Sequence, residues 1–141
     1  MHRVVIDTNV LVSGIIQKSG FPYNVVRLWE RGDIVLVTSL EMIEEARRVL
    51  NYQKIKGRYG LDADDIKQTI LNLLKYSAVI YNLPALNVIK EDPHDNKVMA
   101  TALEGKADYI ISGDSHLLNL KNYKGIEIVT AKRFCEIVSI D

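Results

Sequence analysis

Short runs of apolar, β-branched residues alternate along this chain with longer stretches of helical periodicity, and that alternation admits few folds. The strand-like runs are Arg3–Ile6, Ile34–Val37, Ala78–Tyr81, Tyr109–Ile111 and Ile126–Val129. Several are apolar at consecutive positions, as in strands covered on both faces of a parallel sheet. Between them lie helical patterns at Val10–Gln17, Tyr23–Arg31, Leu40–Leu50, Ala63–Lys75, Pro93–Glu104 and Ala131–Val138. The pattern predicts an α/β domain with helices on both sides of a mostly parallel sheet of about five strands. No repeat, low-complexity tract or linker interrupts it, so residues 1–141 read as a single domain. A chain of this size buries roughly 70% of the surface it exposes when unfolded. The least regular stretch, Asn51–Leu61, carries Lys54, Lys56 and Arg58 with Gly57 and Gly60, and reads as an exposed loop between helices.

Lys+Arg and Asp+Glu stand at 18 each. A polyanion would therefore have to be met by a local basic patch and not by a global field. The single cysteine, Cys135, cannot close an intramolecular disulfide or build a Cys-rich zinc site, and reads as a small buried hydrophobe. Met1-His2-Arg3 leads directly into Val4-Val5-Ile6 with no apolar signal core, and no apolar run approaches bilayer-spanning length. The expectation is a soluble, cytoplasmic protein with no membrane partner.

Ligands of open parallel sheets bind at the carboxyl ends of the strands. Asp7 directly follows the first strand and Asp114 follows the fourth, in Ile111-Ser112-Gly113-Asp114, so topology puts both on one rim. In Asp92-Pro93-His94-Asp95, Asp92 suits an N-cap and Pro93 the first helical position. Asp95 then falls in line with Val98, Met99 and Ala102, the apolar face, where a carboxylate is costly unless paired or bound to metal. In Leu40–Leu50, Glu45 lies roughly 115° from the centre of the apolar face, against about 145–155° for Glu44 and Glu41. Each acid alone has a plain structural use. Asp7, Asp92 and Asp114 can cap helices, Asp95 can complement a helix dipole, and Glu45 can sit solvated on a helix surface.

At these residues the chain resembles the PIN-domain family, particularly the toxin-like nucleases of prokaryotic toxin–antitoxin pairs. The resemblance covers nearly the whole chain and rests on four segments in order. They are Val5-Ile6-Asp7-Thr8-Asn9-Val10-Leu11, then Thr38-Ser39 through Glu44-Glu45-Ala46-Arg47-Arg48-Val49-Leu50, then Asp92 through Ala102, and Ala107 through Leu118. It implies an α/β/α sandwich, divalent-metal-dependent RNA cleavage with Mg²⁺ or Mn²⁺, and catalytic metal ligands at Asp7, Glu45, Asp95 and Asp114. Thr8, Asn9 and Ser112 match the family's polar residues beside the acids. The pairs Glu44/Glu45 and Asp92/Asp95 each offer two candidates. Motif position and the inward-face criterion favour Glu45 and Asp95, with Asp92 beside the ligands. The resemblance also implies an antitoxin partner and a homodimer.

Phosphodiester hydrolysis asks for an activated water and for neutralisation of charge on the phosphate, which hard cations held by carboxylates supply. Four converging acids without a metal would repel one another. Arg47, Arg48, Lys54, Lys56 and Arg58 are the candidates for contacting RNA phosphates, with Tyr52 and Tyr59 available to stack on bases. Two other strand-end aspartate chemistries fit poorly. An aspartyl-phosphate phosphotransferase of the haloacid-dehalogenase type wants a second Asp where Asn9 stands. A receiver domain wants an Asp where the third strand runs into Asn82-Leu83-Pro84. A catalytically silent RNA-binding or scaffold protein on the same fold is the alternative of a different class, and it gives no reason to retain four mutually repelling acids.

Overall fold

Val4, Val5 and Ile6 are enclosed on both sides, and around them a computed structural model of the chain describes residues 1–86 and 92–140. The strands are β1 (Arg3–Ile6), β2 (Val35–Ser39), β3 (Ala78–Ile80), β4 (Tyr109–Ile111), β5 (Asn122–Tyr123) and β6 (Ile126–Val129). The helices are α1 (Thr8–Ile16), α2 (Phe21–Glu30), α3 (Leu40–Leu50), α4 (Gln53–Arg58), α5 (Ala63–Tyr76), α6 (Pro93–Glu104), α7 (Ser115–Leu120) and α8 (Ala131–Ile140). The strands form one six-stranded sheet in the order β3-β2-β1-β4-β6-β5. Every pairing is parallel except the short antiparallel β5–β6 edge.

The strand period of two divides the core into two layers. Val4, Ile6 and Leu36 face Val25, Trp29, Leu73 and Phe134, from α2, α5 and α8. Val5, Val37 and Ile110 face the other way, onto Val98, Met99 and Ala102 of α6 and Leu117 of α7. This is the expected α/β/α sandwich. Gly14 lets α1 and α2 approach closely, because a Cβ there would run into the Pro22 carbonyl and the Val26 side chain.

The chain proceeds outward from β1 to β2 and β3, then returns to place β4 on the other side of β1. The β1–β4 boundary is therefore the point where strand order reverses, and its carboxyl-end crevice is where such sheets bind ligands.

Three details differ from the sequence expectation. The stretch expected as a loop contains α4, whose first turn closes when Ile55 and Lys56 donate to the Tyr52 carbonyl at 2.9 and 2.8 Å. Gly57 lies inside that helix, and the chain turns only at Gly60, which has φ +62°. The motif after β4 contains the short helix α7, and β5 adds a sixth strand to the five expected. Among the described residues, no helix is long and apolar enough to cross a membrane.

Candidate metal centre

Asp7 is the first residue past β1, and its amide donates to the Ile111 carbonyl of β4 at 2.9 Å, which pins it to the strand boundary. Its Oδ1 accepts from the Thr8 amide at 2.8 Å, capping α1, and its Oδ2 accepts from the Ser112 hydroxyl at 2.7 Å. The same hydroxyl accepts from the Asp114 amide at 3.0 Å, so Ser112 ties the two strand-end acids into one network. Asp114 caps α7 by accepting from the His116 and Leu117 amides. The capping use and the convergence of these acids hold together, because the amino ends of helices following parallel strands all open onto the same rim.

Asp92 caps α6, its side chain accepting from the Asp95 amide at 3.2 Å. That backbone hydrogen bond is the main reason its carboxyl is held below the ordinary range. Asp95, one turn in, is 0% exposed, in line with the fully buried Val98, Met99 and Ala102. Both its carboxylate oxygens lack a hydrogen-bond partner among the described residues. Burial, followed by repulsion from Asp114 and Asp92, pushes its pKa up to about 6. A buried, unpartnered carboxylate of this kind requires a proton or a cation.

Glu45 reaches the rim from α3, whereas Glu44 turns outward to ion-pair with Arg47. What Glu45 meets there was not foreseen from the sequence. His94 stands between two acids, with Nδ1 2.8 Å from Glu45 and Nε2 2.9 Å from Asp7. The bond to Asp7 is the largest influence on the imidazole and Glu45 adds to it. Together they outweigh burial and raise its pKa to about 9. His116, on the first turn of α7, lies 3.9 Å from Asp114 Oδ1. Neither histidine carries a periodicity signal. His94 meets partners 49 and 87 residues away, and only its position next to Asp95 in the third motif hinted at the site.

The donor atoms of Asp92, Asp95, Asp114 and His116 all lie within 4.8 Å of one another, as do those of Asp7, His94 and Asp95. Asp95 is common to both groups. Glu45 stands one imidazole ring away from Asp7 and belongs to neither. The Thr8 hydroxyl is buried without a partner among the described residues, and Asn9 is exposed at the start of α1. Of the basic candidates, Arg48 lies one turn beyond Glu45 on α3, while Arg47 is engaged by Glu44. Lys54, Lys56 and Arg58 lie on α4, with the Arg58 guanidinium 5.5 Å over the Tyr59 ring.

The cluster fits a divalent ion on its own chemistry, with hard oxygen donors crowded together and one buried carboxylate whose raised pKa the nearby His94 imidazolium offsets only in part. A cavity of about 730 Å³ lies elsewhere, beside Met1, Trp29, Ile34 and Val35 at the amino ends of the strands. At the acidic centre Asp95 is buried, His94 and Asp114 are partly exposed and His116 is largely exposed.

A family model described as PIN domain matches residues 3–116, a span that includes every acid of the cluster. An uncharacterized protein of Methanocaldococcus jannaschii is 31% identical over 142 aligned residues, covering 95% of this chain and 90% of that protein.

Proposed function

The chain belongs to the PIN-domain family, and on that premise we propose that it is a divalent-metal-dependent endoribonuclease acting at the rim formed by Asp7, Glu45, Asp95 and Asp114. The observation that carries this is Asp95. A carboxylate held at 0% exposure with both oxygens unpartnered among the described residues, beside Asp92 and Asp114, costs stability that the His94 charge offsets only in part and a bound cation would relieve. A scaffold with no chemistry to perform gains nothing from that cost.

A bound Mg²⁺ or Mn²⁺ supplies an activated water and positive charge where the phosphate develops negative charge. Asp95 would hold such an ion together with Asp7 on one side or Asp114 on the other, and Asp7 is the best oriented because Ser112 and the Thr8 amide fix both its oxygens. Glu45, on the far side of the His94 ring, would orient the water or add a ligand. Ser112 also holds the loop that carries Asp114. Partly exposed acids at a strand-end rim suit a polymer better than an enclosed small molecule. Arg48, Lys54, Lys56 and Arg58 supply phosphate contacts, which are salt-sensitive and independent of sequence.

Cleavage of a structured RNA in Mn²⁺ should fall at least about 100-fold in Asp7→Asn relative to the parent protein. Equal cleavage by both preparations would sink the assignment and point to a contaminant.

The finer role in this reading is that of a cytoplasmic toxin held by an antitoxin, as the motif resemblance implies. Its support is the order and spacing of the four motif segments. Induced expression should then arrest growth with the parent chain and not with Asp7→Asn; growth unaffected by either would argue for RNA processing instead.

A further inference from the structure

We infer that the outer half of the acidic centre is a metal position held by Asp92, Asp95, Asp114 and the imidazole of His116, and that this nitrogen ligand biases it toward Mn²⁺ over Mg²⁺. The inference rests on the metal-centre reading above and adds a ligand and an ion preference to it.

One donor atom from each of the four residues lies within 4.8 Å of the others. Ligands about 2.1 Å from an octahedral ion stand about 3 Å apart when adjacent and about 4.2 Å apart when opposite. The four donors thus need only small side-chain movements to close on one ion. Proximity of acids alone would not make a site. The independent observation is Asp95, buried at 0% exposure with two oxygens unpartnered among the described residues, one of them within 4.8 Å of the other three donors. His116 is largely exposed, so packing does not account for its place. Asp114 accepts hydrogen bonds from the His116 and Leu117 amides, and this cap fixes the turn that presents the imidazole to the cluster. Of the chain's three histidines, only His2 lies away from this centre, with its ring against Tyr109 and Phe134.

Ion preference follows from the donor type. Mg²⁺ demands near-ideal octahedral oxygen coordination and keeps its waters, whereas Mn²⁺ shares its taste for carboxylates yet, as a first-row transition ion, accepts an imidazole nitrogen more readily. Three carboxylates with one imidazole make a hard but mixed set, which Mn²⁺ tolerates better.

The test is a titration of the full chain with Mn²⁺, followed by the loss of the free-ion paramagnetic resonance signal, with Mg²⁺ measured by competition. His116→Ala removes only an exposed side chain, and His116→Asp replaces the nitrogen by an oxygen donor. Even outer partners of a metal ligand are worth about 10–100-fold in affinity. His116→Ala should therefore weaken Mn²⁺ at least about tenfold while Mg²⁺ changes less than about twofold, and His116→Asp should narrow the preference by strengthening Mg²⁺. Unchanged affinity for both ions in His116→Ala overturns the inference and leaves the nuclease reading standing. Equal loss of both ions overturns the preference for Mn²⁺. If the parent chain binds neither ion, the metal-centre reading itself fails.

Discussion

Helix α6 places two kinds of residue on one buried line. Val98, Met99 and Ala102 are fully enclosed against Val5, Val37 and Ile110 of the sheet, where shape and transfer from water both favour the native state. Asp95, a turn earlier, is equally enclosed, yet its neighbours are carboxylates and imidazoles, and among the described residues nothing hydrogen-bonds its oxygens. The apolar turns hold the helix so firmly that the chain can sustain a strained first turn. Fold and site are thus separable in energy though continuous in space, and each half can be perturbed without the other.

The largest effect should come from the apolar half. Met99→Ala leaves a cavity in a fully buried layer and should destabilise the protein by about 2–5 kcal/mol in urea unfolding. Its metal-induced stabilisation should persist. Loss of that response together with stability would mean that the two halves are not separable.

The acidic half should respond with the opposite sign. An ion at about a hundred times its dissociation constant stabilises the parent protein by about 2.7 kcal/mol. Asp95→Asn should lose most of that gain, yet in chelator at pH 8 it should be roughly 1–2 kcal/mol more stable than the parent, because the repelling charge is gone. A less stable Asp95→Asn protein in chelator would contradict the claim that Asp95 is strained.

Both halves were visible in the sequence to different degrees. Strand-end topology placed Asp7 and Asp114, and the helical period placed Asp95 inward, because these are local or periodic properties. Separating Glu45 from Glu44 needed the family resemblance, since the angular margin on α3 was small. The structure separates them through a tertiary contact, with Glu45 turned to His94 and Glu44 to Arg47. His94 and His116 were missed because their partners come from other segments or from the capping geometry of α7. The α4 helix was missed because Gly57 reads as a breaker, whereas the turn actually falls at Gly60.

A further effect is one of pH. In the folded chain His94 titrates near 9, above its ordinary 6.5, through its contacts with Asp7 and Glu45. Its contribution is therefore complete below 6.5 and lost as pH rises through about 9. Asp95, raised from 3.8 to about 6 by burial, acts in the same direction at lower pH, its contribution present below 3.8 and lost as pH rises through 6. Metal-free melting temperatures should fall between pH 6.5 and 9, and His94→Ala should flatten that limb. A parent profile that is flat or rising there would show that His94 is not held by the two acids.

The central claim is that Asp95 is completed by a cation, and anomalous scattering from crystals grown with Mn²⁺ tests it most directly. The account predicts a manganese peak about 2.0–2.3 Å from an Asp95 carboxylate oxygen, within reach of Asp7 or Asp114. Ordered crystals in saturating Mn²⁺ with no peak at Asp95 would contradict it.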